Sequence, residues 1–476
     1  MDRITPGRAW PLFDIDASRR LEAQAAATLP PHTLMQRAGL AVARLALALA
    51  PHARTTWVAC GPGNNGGDGF EAAMHLQAWG RSPVVTWLGE EARLPADAAA
   101  SLARAREAGV TFAEAPPAHW DLAIDALFGL GAGRPLEGAG ARWRAAMAAG
   151  AAPVLAVDLP SGLDADTGQG EAVRAHHTLS LLTLKPGLFT AHGRDLAGQV
   201  WFDDLGVAPS LPPTARLSPA PRPAPRPHAS HKGSWGDVAV VGGAPGMTGA
   251  ALLAASAALH AGAGRVFVGL LDGGRVAVDT SQPELMLRPV DTLDFADLHL
   301  ACGCGGGDTV RGLLPRALAS ARSLVLDADA LNAIAADPHL QALLRARGAR
   351  HDRPTVLTPH PLEAARLLGL SAAQVQADRL AAARALADRF HAVALLKGSG
   401  TVIAAPGRTP QVNPTGNARL ASAGTGDVLA GVLAARLAAG EPAFEAASDA
   451  AWTHGAAADH WPEGEALTAG ALARRI

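Results

Sequence analysis

Apolar residues recur at helical spacing from Ala17 to Ala27 and from Leu34 to Leu49, and the pattern then changes to a short unbroken apolar run at Thr56–Cys60. Apolar positions three and four apart make one face of a helix, whereas a short continuous run ending in glycine fits a strand buried on both sides. On this reading a helix follows from about Phe70 to Trp79. Pro83–Leu88, Leu122–Leu127, Val154–Val157 and Leu179–Leu184 are further strands. The alternation resumes with strands at Val238–Val241, Arg265–Leu270, Leu298–Ala301, Ser323–Leu326, Thr355–Leu357, Ala392–Leu396 and Thr401–Ala404. A last helix opens at Gly424-Thr-Gly-Asp427 and reaches about Ala439. Strands alternating with helices predict an α/β chain whose parallel sheets are covered on both faces, with ligands at the carboxyl ends of the strands.

Two such series need a boundary. Residues 209–227 read PSLPPTARLSPAPRPAPRP, too dense in proline for a helix or a central strand. Domains at 1–208 and 229–476, joined by a semi-rigid proline-rich linker at 209–228, are expected. The chain has 476 residues, enough for two full cores, and a net charge of −2, which gives no reason to expect nucleic acid or an anionic membrane as partner. No apolar run is long enough to span a bilayer, and Met1–Trp10 has no apolar signal core. The three cysteines, Cys60, Cys302 and Cys304, fit a reducing compartment, and no second Cys pair completes a zinc site. A cytoplasmic protein is expected.

The chemistry concentrates in glycine-rich turns. Gly61-Pro-Gly-Asn-Asn-Gly-Gly-Asp-Gly-Phe70 formally matches a dinucleotide loop, but Asn64, Asn65 and Asp68 replace the bland residues such a loop carries. Asn65 offers an amide oxygen to a cation or a hydroxyl. Asp125, the Gly129–Pro135 loop and Val157-Asp-Leu-Pro-Ser-Gly162 fall at successive strand ends, and Arg134 among glycines has the chemistry of a phosphate clamp.

These motifs, with Leu184-Lys-Pro-Gly-Leu-Phe189 after them, resemble the NAD(P)H-hydrate epimerase family over about residues 10–208. The resemblance implies a Rossmann-like domain with K+ held by Asn65, Asp125 and Ser161. It implies a hydrated dinucleotide (NADHX or NADPHX) contacting Asn64, Asn65, Gly66, Gly67, Asp68, Gly129, Leu130, Gly131, Ala132, Gly133, Arg134, Pro135 and Asp158. Epimerisation at C6 needs loss and return of water through an iminium, and Asp158 is the expected acid/base.

The second half holds GGAPGMTGAA from Gly242, VLDADALN from Val325, LTPHPLEAARLL from Leu357, LLKGSGTVI from Leu395 and AGTGDVLAG from Ala423. Gly424, Thr425 and Gly426 would direct N–H groups at a phosphoryl group from a helix start, with Asp427 beside them as base. Asp327 and Asp329 read as helix caps or as support for a metal rather than as catalysts, and His360 between two prolines allows a plain turn role.

This set resembles the ADP/ATP-dependent NAD(P)H-hydrate dehydratase family, a branch of the ribokinase-like fold, over about residues 229–476. The expected fold is thus two α/β/α three-layer domains. The resemblance implies a nucleotide site at Lys397, Gly398, Ser399, Gly400, Thr401 and Gly426, with hydrate contacts at Ala250, Gly305, His360 and Asp427. Mg2+ with ADP, or alternatively ATP, would phosphorylate the C6 hydroxyl of the S epimer and let phosphate leave. Leu362 stands where many relatives carry Gly, and Gly303-Cys-Gly-Gly-Gly307 where they often carry GPGLG. The rival reading is a small-molecule kinase beside a non-catalytic binding module. A homo-oligomer is expected, with small molecules rather than nucleic acid or membrane as ligands.

Overall fold

The computed structural model describes residues 1–130, 135–222, 227–350 and 352–476. The chain divides into two compact units. One comprises Met1–Thr5 with Trp10–Ala215, the other Pro6–Ala9 with Arg216–Ile476.

In the first unit the strand order is Asp2–Arg3, Gln199–Asp203, His177–Leu181, Val154–Val157, Leu122–Ala126, Thr55–Cys60, Ser82–Trp87, Thr111–Ala113. Every pairing is parallel except that of the Asp2–Arg3 edge. Alternate side chains of one strand serve opposite faces. Val58 and Cys60 join a core with helices Thr33–Leu49 and Asn64–Ala78, whereas Trp57 and Ala59 pack with Trp143 and Met147 of helix Gly138–Ala149. These are three layers, as expected from the alternation.

The helix after Thr55–Cys60 begins at Asn64, six residues before the expected Phe70. Glycine has low helix propensity, which argued for a loop; close packing overrides it. A methyl at Gly66 would lie 2.0 Å from the Gly61 carbonyl oxygen, and one at Gly69 would lie 2.7 Å from Cys60 Sγ. The glycines let this helix lie against its own strand, and that places Asn64, Asn65 and Asp68 on its first turns.

The second unit runs Met286–Leu287, Arg265–Leu270, Asp237–Gly242, His299–Cys302, Ser323–Leu326, Thr355–Leu357, Val393–Leu396 in parallel. Val402–Ala404 and Gln411–Val412 then add antiparallel strands. Val238 and Val240 face a core shared with helices Thr248–His260, Thr425–Ala438 and Ala443–Asp459. The stretch read as a proline-rich linker is partly built into this sheet. Arg216 and Leu217 pair in parallel with Gln411 and Val412. Between the prolines, Arg216 N–H donates to the Pro410 carbonyl at 2.9 Å and Ser218 N–H to the Val412 carbonyl at 3.0 Å. Residues 223–226 of that stretch lie outside the described residues. All three cysteines are buried free thiols. Among the described residues no helix is long and apolar enough to cross a membrane.

Candidate active sites

In the first sheet the chain order reverses between Thr55–Cys60 and Leu122–Ala126, where a crevice opens at the carboxyl ends. A cavity of about 490 Å3 lies there, with Asn64, Asn65, Asp68, Gly129, Leu130 and Asp158 on its walls. Gly66 and Gly67 are buried in the helix packing and are not on the wall. Pro135 is exposed, and Gly131, Ala132, Gly133 and Arg134 lie outside the described residues.

Asp158 follows its strand directly and has φ +67°, a left-handed conformation that costs a non-glycine residue roughly 1–3 kcal/mol. Surrounding bonds hold it there. Its N–H donates to the Leu179 carbonyl at 2.7 Å, and its Oδ1 accepts from Leu181 N–H at 3.1 Å. The Lys185 ammonium donates to the same Oδ1 and to the Leu181 carbonyl, the latter at 2.9 Å. Lys185 is fully buried, so its charge is kept for Asp158. Sequence reasoning quoted the Leu184-Lys-Pro-Gly motif without giving Lys185 a role.

Asp125 and Ser161 meet as expected of a shared site. Ser161 donates to Asp125 from Oγ at 2.6 Å and from N–H at 2.8 Å, and Ser161 Oγ accepts from Phe128 N–H at 2.8 Å. Burial pushes the Asp125 carboxyl up to about 6. The Asn65 amide nitrogen is buried without a hydrogen-bond partner, and Asn65 Oδ1 lies 3.0 Å from where a Gly129 methyl would sit. Hard oxygen donors around a buried carboxylate fit an alkali cation.

In the second unit the Gly242 and Cys302 strand ends meet at a similar reversal. Gly243 N–H donates to the Cys304 carbonyl at 2.9 Å and Ala244 N–H to the Gly305 carbonyl at 2.7 Å. A methyl on Gly305 would lie 2.9 Å from Ala250 Cβ, so these two expected contact residues are adjacent. Lys397 Nζ donates to Asp327 Oδ1 at 2.6 Å, and the Thr358 hydroxyl donates to the same oxygen at 2.9 Å. Asp327 is thus a partner of Lys397, and its side chain does not cap the following helix; Asp329 accepts from Gly307 N–H at 2.8 Å. Lys397 Nζ lies 3.4 Å from where a Gly426 methyl would sit.

Asp427 stands in the first turn of helix Thr425–Ala438. Burial first, and then the Asp327 charge, raise its carboxyl to about 6, although the Cys304 thiol and the Lys397 ammonium favour the charged form. Cys304 Sγ and one carboxylate oxygen each of Asp327 and Asp427 lie within 4.8 Å of one another. A soft thiol among two carboxylates is no oxygen cage for Mg2+; the arrangement fits a magnesium ion carried in on nucleotide phosphates. Gly424 starts the helix at φ +89°. The Thr425 hydroxyl donates backwards to the Leu420 and Ser422 carbonyls at 2.8 and 2.9 Å.

His360 is a helix cap. Its Nδ1 accepts from Leu362 and Glu363 N–H at 3.1 and 3.2 Å, and the Glu363 carboxylate accepts from His360 N–H at 2.7 Å. Its Nε2 lies 3.2 Å from the other Glu363 carboxylate oxygen, so both ring nitrogens have partners within the cap. In the Lys397–Thr401 loop, Gly398 and Ser399 are exposed and Gly400 is buried. Arg379 underlies that loop, its guanidinium donating to the Leu396, Lys397 and Gly400 carbonyls at 3.3, 3.2 and 3.4 Å. His454 is buried behind the Asp427 helix and meets the Thr425 carbonyl at 2.9 Å through Nε2. Burial holds its ring down to about 4, so it is neutral and donates from Nε2. Neither residue was legible as functional in the sequence. The second unit's cavity of about 530 Å3 is elsewhere, lined by His299, Ser323, Thr355 and Val393 at the amino ends of their strands.

Two α/β units with a carboxylate and a lysine at the strand carboxyl ends, one beside a glycine-headed helix, define a two-domain enzyme of the nucleotide-handling class. Residues 238–476 match the family model described as NAD(P)H-hydrate dehydratase, and residues 31–187 that described as YjeF-related protein N-terminus. The bifunctional NAD(P)H-hydrate repair enzyme of Escherichia coli is 37% identical over 95% of this chain and 90% of its own length. An ADP-dependent (S)-NAD(P)H-hydrate dehydratase of Neisseria meningitidis is 47% identical over 52% of this chain and 84% of its own. The solved ADP/ATP-dependent NAD(P)H-hydrate dehydratase of Bacillus subtilis, co-crystallized with ATP/Mg2+, is 31% identical over 53% of this chain and 91% of its own, with a TM-score of 0.44. The chain belongs to the bifunctional NAD(P)H-hydrate repair enzyme family.

Proposed function

We propose that this chain repairs hydrated NADH and NADPH at two sites. The first unit interconverts the R and S epimers at C6, and the second dehydrates the S epimer with ADP, giving AMP and phosphate. The observation that carries the reading is a repeated one. Each unit has a lysine paired with an aspartate at its strand carboxyl ends, Lys185 with Asp158 and Lys397 with Asp327, and in the second unit the Lys397 charge also acts on Asp427.

In the first unit Asp158 exchanges a proton with the C6 hydroxyl as water leaves, while the Lys185 ammonium holds the carboxylate in orientation. The buried Asp125 carboxylate, with Ser161 and Asn65, would hold K+, which supplies a fixed positive charge near the dinucleotide. In the second unit Asp427 takes the proton of the C6 hydroxyl as it attacks the phosphoryl group. The first-turn N–H groups of helix Thr425–Ala438 face the charge that develops there, and Lys397–Thr401 carry the nucleotide. Magnesium brought in on the nucleotide would supply positive charge to the phosphates held by the Lys397–Thr401 loop. Ala250, Gly305 and His360 are the proposed contacts for the hydrated dinucleotide. Action in the cytoplasm, as a homo-oligomer, is part of the same proposal.

A cofactor-recovery assay tests this reading. Both epimers of NADH hydrate are mixed with the protein, K+, Mg2+ and either ADP or ATP, and the return of reduced-nicotinamide absorbance is followed. Full recovery, faster than spontaneous epimerisation allows, is expected with ADP. A stall at one epimer would remove the epimerase, and a stable phosphorylated product would make the second unit a kinase.

The acid limb is a second expectation. Asp427 must be a carboxylate to accept a proton, and its carboxyl is raised to about 6. The dehydratase kcat/KM should therefore be level above that pH and fall about tenfold per unit below it. A profile level down to about pH 4.5 would remove Asp427 as base.

A further inference from the structure

Epimerisation poses a geometric demand that one carboxylate on one wall does not meet. The iminium formed when water leaves C6 is planar, and the R and S hydroxyls stand on opposite faces of it. Water leaving from one face must be replaced by water delivered to the other, so each face needs its own proton carrier.

The cavity of the first unit has a carboxyl group on a second wall. Helix Ile15–Ala26 is capped by Asp14, which accepts from Ala17 N–H at 2.7 Å, and Ile15 N–H donates to Asp166 at 2.9 Å. Ser18 and Thr183 hydroxyls meet at 2.8 Å, tying the helix to the segment that carries Lys185. Ser18, Glu22 and Ala26 are four residues apart, share one helix face, and line the cavity. Nothing among the described residues hydrogen-bonds the Glu22 carboxyl. Its neighbour Arg19 is held by the Leu130 carbonyl at 3.1 Å.

We propose that Glu22 is the second acid/base of this cavity, serving the face of the nicotinamide ring opposite to that served by Asp158. The inference rests on the epimerase reading of the first unit. In one direction the Glu22 carboxyl gives its proton to the C6 hydroxyl. The C–O bond breaks, the N1 lone pair forms the N1=C6 bond, and water departs. A second water then adds to C6 from the other face, its proton passes to the Asp158 carboxylate, and the N1=C6 electron pair returns to N1. The reverse direction exchanges the two roles, and solvent returns the proton between turnovers. Burial raises the Glu22 carboxyl above the usual range; Asp158 raises it further, while Lys185 and Arg19 act the other way and Asp97 adds a small upward push. A carboxyl raised by burial holds its proton to higher pH than a free one, which suits a donor.

Asp68 is the competing candidate on the same cavity. Burial holds its carboxyl well above the usual range, with Asp158, Glu22 and Glu71 adding to that and Lys185 opposing. Asp68 is on the first turns of the glycine-rich helix beside Asn64 and Asn65, whereas Glu22 comes from a separate element, helix Ile15–Ala26, and so supplies a second wall.

The test uses the full chain with K+ and separated NADH-hydrate epimers, resolved by chromatography. Glu22→Gln is expected to lower kcat for epimerisation about 100-fold or more in both directions, with KM within about threefold. Dehydration of the S epimer by the second unit stays unchanged. Formate added to Glu22→Ala should restore rate in a concentration-dependent way, since a free carboxylate fits the space left. Epimerisation by Glu22→Gln within about threefold of wild type overturns the proposal. So does a normal Glu22→Gln with a crippled Asp68→Asn, which would give the second face to Asp68. If Glu22→Gln loses hydrogen-exchange protection in helix Ile15–Ala26, the formate experiment decides, and no rescue overturns the proposal. A wild-type protein no faster than spontaneous epimerisation would instead remove the epimerase reading itself.

Discussion

Asp427→Asn is expected to lower kcat for nucleotide-dependent dehydration about 1,000-fold while leaving nucleotide affinity within about threefold and epimerisation intact. The amide keeps the shape of the carboxylate and an oxygen for the Cys304 thiol, but it cannot accept the hydroxyl proton. The loss would not come from unfolding. The folded carboxyl is raised from the ordinary 3.8 to about 6. Such a group binds its proton more tightly in the folded chain, so it costs no stability at low pH and becomes destabilising as pH rises through that interval. Near neutrality the carboxylate destabilises the fold by up to roughly 2–3 kcal/mol, and the neutral amide removes that cost. The variant should melt no lower than wild type at pH 7. Dehydration at more than about one third of the wild-type rate would mean that another group takes the proton.

The same conflict between site and stability explains which parts of the molecule the sequence revealed. Strands buried on both faces leave an unmistakable apolar run, and Arg265–Leu270, Ser323–Leu326, Thr355–Leu357 and Val154–Val157 stand where the pattern put them. Two-residue strands such as Met286–Leu287 at the sheet edge and Gln411–Val412 within the sheet have no run to read, and their existence depends on neighbours supplied by other parts of the chain. Helix Asn64–Ala78 was misread at its start because its glycines argue against helix locally and are there for packing at a distance.

Site residues divide in the same way. Asp158 and Ser161 sit in the turn after a strand, Asp125 near the carboxyl end of a strand and Asp427 in the first turn of a helix, all next to glycine-rich turns where a polar residue is conspicuous. Glu22, Arg379 and His454 lie inside helices whose other charged positions look identical; nothing local separates Arg379 from Arg384 or Arg389. Lys185 did carry a signal. The chain holds 41 Lys and Arg together, yet its only lysines are Lys185, Lys232 and Lys397. Where arginine has taken nearly every cationic position, a remaining lysine marks a place that needs a compact ammonium rather than a planar fork. Two of the three have an aspartate as partner at a strand end.

That pairing gives the second large expectation. Asp158→Asn and Lys185→Met should each lower the epimerase kcat about 100-fold or more, and each should lose stability. Asparagine tolerates the left-handed backbone that Asp158 adopts, but it leaves the buried Lys185 ammonium only neutral acceptors, the Leu181 carbonyl among them. Removing Lys185 strands a buried carboxylate, and breaking a buried pair from either side typically costs about 3–5 kcal/mol. Hydrogen-exchange protection of Val154–Val157, the strand that ends at Asp158, should fall in both single variants. The double variant separates structure from chemistry. With both charges gone the buried pair is neutral, so protection should return while epimerisation stays as low as in either single variant. Recovery of activity along with protection would make the pair a scaffold only, and the proton carrier would then have to be sought elsewhere on the cavity wall.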